Sequence, residues 1–191
     1  MDLDRERELL DRLRRGEHAA FDQIYDAYRP RLFGFLARMV GRRDLAEDLL
    51  QETFLRLAAR AASLAEDTRL GAWLFTVGRN LYLSHRRSSL VDAARLEALA
   101  LAPGPGESAS PFEAAAASEL GARLERAMAT LPENHREVLL LVAVERLDHA
   151  DAAAILELSP EALRQRLSRA RAQLEQALSE PRTRTLPRRT G

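Results

Sequence analysis

Three sets of side chains have the types and spacing to do chemistry, and in each the chemistry is recognition rather than bond making. The first lies in LAEDLLQETFLRL, Leu45 to Leu57. Wound at roughly 100° per residue, Leu45, Ala46, Leu49, Leu50, Thr53, Phe54 and Leu57 gather on one broad side, a core face. Glu47, Asp48, Gln51 and Glu52 take the other side, with Leu55 among them. A solvated helix face usually mixes acids with Lys or Arg at neighbour spacing. This one is almost purely acidic and carries an apolar knob. Such a face suits docking onto a basic protein surface, with Leu55 filling a pocket and the acids setting orientation. On its own the pattern fits a solvated face with one stray leucine equally well.

The second set lies near the C-terminus. Leu163, Leu167, Ala170 and Leu174 form an apolar stripe, and the opposite side carries Arg164, Gln165, Ser168, Arg169 and Arg171. These are donors for phosphates and base edges. A shorter helical segment, His149 to about Leu156, precedes them across the three residues Glu157, Leu158 and Ser159, which is helix-turn-helix spacing. The first turn of a recognition helix enters the major groove, so Arg164 and Gln165 are the expected base readers. Ser168 and Arg171 would reach backbone or a further base, and Arg166 and Arg169 flanking phosphates. An ordinary helix pair with a solvated basic face is the alternative; the basic face decides for DNA.

The third set is in RLGAWLFTVGRNLYLSHRRSS, Arg69 to Ser89. Trp73, Leu74, Val77 and Leu81 point to a core, whereas Arg79, Asn80, His85, Arg86 and Arg87 are polar or basic, with Tyr82 nearby. Cations beside an aromatic suit an unpaired nucleic-acid strand. The His-Arg-Arg run also fits cations at a helix C-terminus, where they meet the dipole.

No constellation for covalent catalysis is in view. The chain has no cysteine, its histidines (His18, His85, His135, His149) are scattered, and there is no glycine-rich phosphate loop. His149 and Asp151 lack further ligands, so no metal, cofactor or catalytic residue is assigned and an enzyme is not expected. The 191 residues carry no net charge, yet from Glu161 onward eight Arg face three acids, a local excess of +5. A basic end on a neutral chain points to a local polyanion site. All basic residues are Arg, and no apolar run approaches membrane-spanning length. The N-terminus MDLDRERELL is too charged for a signal peptide, so a cytoplasmic protein without membrane insertion is expected.

The elements that must position these side chains are helices throughout; no strand alternation persists. Helices are expected over Leu3 to Arg15, from Ala19 into the thirties with an interruption or kink at Pro30, and through the acidic segment. Gly41 is expected to end the second of these, and Asp44 to cap the third. Thr68 should cap a helix reaching about Arg87. The Ala-, Pro-, Gly- and Ser-rich stretch that follows, with APGPGESASP in it, reads as a flexible linker, though Val91, Ala94 and Ala98 share a face and allow a short helix over Leu90 to Leu101. Beyond it, Thr130 with Glu133 forms a capping-box pattern, Asp148 caps the short helix, and Ser159 with Pro160 starts the last one. The expected fold is all-α: two small helical domains, 1–89 and 119–180, joined by a linker over 90–118 and followed by a basic tail over 181–191.

Together the stretches FDQIYDAYRPRLFGFLARMV, DLAEDLLQETFLRLA, AWLFTVGRNLYLSHRR, LPENHREVLLL and AAAILELSPEALRQRLSRARAQL resemble the extracytoplasmic-function (ECF, group IV) sigma factors of the sigma-70 superfamily. The resemblance implies a bacterial transcription initiation factor that directs core RNA polymerase to promoters, with region 2 in the first domain and region 4 in the second. It implies that Asp48, Gln51, Glu52 and Leu55 bind the β′ clamp helices. Arg79, Asn80, His85, Arg86 and Arg87 would meet the −10 strand. Arg164, Gln165, Ser168, Arg169 and Arg171 would read the −35 element while the second domain rests on the β flap. An anti-sigma factor is a further partner the family implies.

The chain departs from the family pattern at Glu157, where Gly is common in the turn, at Glu161 and Ala162 at the start of the recognition helix, at Ser84 where Asp is frequent, and in the Ala-rich HADAAAIL. Two rivals remain at this point: a helix-turn-helix regulator that never touches core polymerase, and a helical adaptor that binds only protein.

Overall fold

The computed structural model describes residues 3–98 and 118–179. It is helical, with no strand among the described residues, as expected of an all-α chain. The helices are α1 (Leu3–Arg14), α2 (His18–Val40), α3 (Arg43–Arg60), α4 (Leu70–Ala98), α5 (Glu119–Thr130), α6 (Glu133–Leu139), α7 (His149–Leu156) and α8 (Pro160–Ser179). A 3₁₀ turn, Ala61–Ser63, follows α3, and α6 runs on as a π-helical turn, Leu140–Val144.

In the first unit α2 is the central helix, with α1, α3 and α4 packed around it. Ile24, Tyr28, Leu32, Phe35 and Leu36 of α2 are buried against Leu49, Phe54 and Leu57 of α3 and Leu74 and Phe75 of α4. The Phe35 and Phe75 rings meet edge to face at 5.5 Å. α4 lies so close to α2 that a Cβ on Gly78 would sit 3.1 Å from the Leu32 Cδ1. Thr53 is wholly buried in this core, and its hydroxyl donates to the Leu49 carbonyl at 2.7 Å, so burying it leaves no unpaired group. Trp73, expected in the core, is only partly buried at its edge.

Several local expectations are corrected. α2 passes through Pro30 without a break. Ile24 and Tyr28 before the proline and Leu32, Phe35 and Leu36 after it are held in one core, and packing overrides the local cost. Asp44 does not cap α3: the helix begins at Arg43, Arg42 holds the cap position without a side-chain bond, and Asp44 pairs with Arg42 in the first turn. Thr68 lies outside α4, which begins at Leu70 with the Arg69 carbonyl accepting from Trp73. The Thr130–Glu133 capping box does not form. Thr130 donates to Ala127 O at 2.8 Å, Pro132 holds the cap position, and Glu133 reaches Arg86 instead. Other signals hold. Gly41 ends α2 in the left-handed region at φ 75°. Asp148 Oδ1 accepts from the Asp151 amide at 2.8 Å, and Ser159 Oγ from the Ala162 amide at 3.1 Å.

α4 continues past Arg87 to Ala98, into the stretch expected to be linker. The remainder of that stretch, 99–117, and the expected basic tail lie outside the described residues. α5 to α8 form the second unit. Ser118 caps α5 by accepting from the Gly121 amide at 3.0 Å, and α8 packs against α5, α6 and α7. The two units meet face to face, α4 on α7 and α2 on α6, and their buried apolar residues join one cluster.

Candidate functional site

The acidic face of α3 is open to solvent. Leu55 is 57% exposed although it sits between the buried Phe54 and Leu57, so nothing in its own domain covers it. Asp48 and Gln51 are exposed, and no described side chain pairs with either. The face is less purely acidic than its sequence suggests. Arg43 binds Glu47 and Arg56 binds Glu52, each at 2.9 Å and one helical turn away. Asp48 and Gln51 are thus left as the open polar groups beside Leu55. Leu55 also forms one edge of a groove of about 640 Å³ between α2 and α3, floored by Phe21, Tyr25, Phe33, Leu50 and Phe54. The Tyr25 and Phe54 rings meet within it at 4.7 Å, tilted by 60°. The surface therefore offers an apolar knob and an apolar groove side by side. Sequence reasoning found the knob; the groove needs α2 and α3 together, and its only linear trace is Phe21, Tyr25 and Phe33 on α2.

On α8 the stripe Leu163, Leu167 and Ala170 is buried against the second unit, with Leu174 partly so. Arg164, Gln165, Ser168, Arg169 and Arg171 are consequently exposed on one side of the helix. Glu161, in the first turn, has one carboxylate oxygen 2.5 Å from Arg164 and the other 3.3 Å from the Gln165 amide. The Arg164 hydrogen bond, with Gln165 adding to it, holds the Glu161 carboxyl below its usual range. Glu161 therefore orients the two expected base readers rather than pointing at DNA on its own. Glu157 stands in the turn at φ 56°, a left-handed backbone that allows the sharp approach of α7 to α8.

The expected strand-binding residues of α4 divide into two groups. Asn80, His85, Arg86 and Arg87 are exposed. Arg79 is not: its Nε donates to Glu137 Oε1 at 2.7 Å, and Glu137 of α6 is only 4% exposed. Arg86 reaches Glu133 at 2.5 Å. Tyr82, 8% exposed, is buried beside the same carboxylate; burial and a hydrogen bond to Glu133 push its phenol up to about 12. Burial pushes the Glu137 carboxyl up against the opposing pull of Arg79. None of these pairings was foreseen from sequence, although Glu133 and Glu137 at one-turn spacing put two acids on a single face of α6.

An exposed acidic-apolar ridge, a basic helix-turn-helix and a basic-aromatic helix in one chain match two family models. Residues 24–89 match Sigma-70 region 2 and residues 121–174 match Sigma-70, region 4. The class is thus that of the sigma-70 factors. Among curated proteins, the ECF RNA polymerase sigma factor EcfG of Rhodopseudomonas palustris is 37% identical over 153 residues, covering 78% of this chain and 80% of that one. The RNA polymerase sigma factor CarQ of Myxococcus xanthus is 33% identical over 174 residues, 90% of this chain and 96% of its own. The sigma factor RpoE from Bartonella quintana, solved in complex with the anti-sigma factor NepR, superposes with a TM-score of 0.68 at 28% identity over 85% of this chain and 98% of that chain. CnrH, solved with the cytosolic domain of CnrY, superposes at 0.66 with 26% identity over 91% of this chain and 97% of its own. This chain belongs to the ECF sigma factors: it is an RNA polymerase sigma factor, a transcription initiation factor with a DNA-binding region 4. Among the described residues no helix is long and apolar enough to cross a membrane.

Proposed function

We propose that this sigma factor grips core RNA polymerase through Asp48, Gln51, Glu52 and Leu55, the ridge on α3. A basic clamp of the polymerase would meet the acids, and an apolar side chain from it would enter the groove beside Leu55. Residues 1–89 form the unit that docks and captures the −10 strand through Arg79, Asn80, His85, Arg86 and Arg87. Residues 119–180 form the unit that reads the −35 duplex through Arg164, Gln165, Ser168, Arg169 and Arg171. The stretch over 90–118, entered by the end of α4, spans between them, and 181–191 adds a basic tail. Two modest DNA contacts on one scaffold gain from effective concentration. The sigma factor makes and breaks no bond itself; unpaired bases are captured, not chemically altered. It acts where the polymerase is, in the bacterial cytoplasm, and by analogy with the solved sigma factor RpoE it takes an anti-sigma protein as a further partner.

The observation that carries this reading over a stand-alone DNA-binding regulator is the 57% exposure of Leu55 on an otherwise well-packed helix. A regulator that never meets polymerase has no use for that ridge. The test is a pull-down of core polymerase with the full chain, followed by run-off transcription. Asp48→Arg and Leu55→Asp should each weaken core binding at least tenfold, about 1.4 kcal/mol, while duplex binding stays unchanged. Wild-type protein that retains duplex but not core polymerase would favour the regulator instead.

A further inference from the structure

Arg79, Tyr82 and Arg86 stand at i, i+3 and i+7 on α4 and so share one stripe. The stripe faces α6, where Glu133 and Glu137 stand one turn apart. Glu137 takes Arg79 at 2.7 Å and Glu133 takes Arg86 at 2.5 Å, with the buried Tyr82 between the two arginines on the stripe. The rest of the seam is closed with the same polarity. Arg31 pairs with Glu145 at 2.9 Å, Arg38 with Glu125 at 2.7 Å, and Arg69 with Asp148 at 2.6 Å and Asp151 at 2.9 Å. Every described ion pair across the seam has its cation on the first unit and its acid on the second. A seam that served packing alone would mix the signs. This one sets a row of carboxylates on a row of arginines, with an aromatic between two of them. Carboxylate oxygens accept from arginine in the geometry that phosphate oxygens use.

We propose that Glu133 and Glu137 act as a built-in substitute for the −10 strand, so that the free chain holds itself closed and the Arg79–Tyr82–Arg86 stripe becomes available only when the second unit is drawn away. This rests on the reading of α4 as the strand-binding helix. The burial argues for a specific latch. Glu137 lies almost wholly inside the seam, where removing its partner would leave a charge without compensation. Asn80, His85 and Arg87 stay exposed in the closed chain, and Arg86, though paired, keeps half of its side chain in solvent, so closure encloses Arg79 and Tyr82 and ties down Arg86 rather than hiding the whole strand surface. A surface that is open only part of the time binds with an affinity reduced by the open fraction.

The chain has no cysteine, so Asp22→Cys and Gln176→Cys, one exposed position in each unit, can carry a donor–acceptor dye pair on the full-length protein. In that background Glu133→Gln with Glu137→Gln removes the two carboxylate charges. Asp26→Asn with Glu175→Gln removes two charges at exposed positions away from the seam and serves as the charge-matched control. The expected result is lower energy transfer and about tenfold tighter binding of a labelled single-stranded oligodeoxynucleotide than the control, as for a closed form outnumbering the open one about ten to one. Glu133→Gln alone, at a half-buried position, gives the same signs with a smaller change and keeps the test valid if the double variant unfolds. Unchanged transfer and strand affinity, with core-polymerase binding intact, overturn the latch and leave the proposed function standing. Failure of the wild-type chain to bind core polymerase overturns the proposed function, and the transfer signal still decides the latch.

Discussion

The α4 stripe and the outer face of α8, the two surfaces proposed to meet DNA, both carry arginines, and they are held in different ways. Both Arg79 and Arg86 reach across to acids of another unit, but only Arg79 is enclosed, against the almost completely buried Glu137; Arg86 stays half exposed. Arg164 leans on Glu161 of its own helix, with both side chains well exposed. Water can satisfy a cation on an outer face when DNA is absent. A cation enclosed in a seam needs an anion in its place, because an unpaired buried charge is far more costly than an unpaired exposed one.

The largest expected effect breaks or confirms that contrast directly. Arg79→Ala leaves Glu137 buried without a counter-ion and should cost the closed arrangement about 3–5 kcal/mol. In urea denaturation the two units should then separate early. Arg164→Ala should move the same curve by less than about 0.5 kcal/mol, as expected of an exposed pair. Equal shifts would mean that the two rows do not differ.

The second effect runs the other way. In the polymerase complex, Arg164→Ala or Gln165→Ala should cost about 1–3 kcal/mol at a single base pair of the −35 element and relax the preference there. Arg79→Ala should leave −35 discrimination untouched. Competition among duplexes altered one base pair at a time provides the measurement.

The smallest effect compares two carboxyls. The Asp151 amide first, and Arg69 after it, hold the Asp148 carboxyl below its usual range. A folded value below the unfolded one means that its stabilisation is present above about pH 4 and is lost as pH falls through the folded value. Asp148→Ala should therefore cost about 1 kcal/mol at neutral pH, the usual worth of an N-cap, and less near pH 3. Glu161 on α8 is also held low, but its partners are exposed neighbours on its own helix, so Glu161→Gln should show the same sign with a smaller pH-dependent loss. Denaturant curves at the two pH values test both.

What the sequence made legible was what helical neighbours decide among themselves. The core face of Leu45 to Leu57, the stripe Leu163, Leu167 and Ala170, the Gly41 stop, and the Asp148 and Ser159 caps all depend on residues within a turn of one another. The exposure of Leu55, and of Asp48 and Gln51 beside it, was legible for the same reason. Three caps failed where a partner lay elsewhere or the helix start shifted. Asp44 was drawn to Arg42, Glu133 was taken by Arg86 across the seam, and α4 started beyond Thr68. The polarity of the seam was illegible because it joins residues such as Arg31 and Glu145, far apart in the chain and brought together only by packing. Two local hints pointed to it: a basic-aromatic stripe on one helix and paired acids on another.

Glu157 turns the chain where backbone comfort alone would select glycine. Its left-handed geometry strains any residue with a Cβ, yet its carboxylate lies 3.9 Å from an Arg79 nitrogen. A glycine there would relax the hinge of the DNA reader and take away one of the anions near that arginine. The bend between α7 and α8 is thus also a tether, and the ease with which the reader swings free is set partly by the side chain that its sharpest corner tolerates.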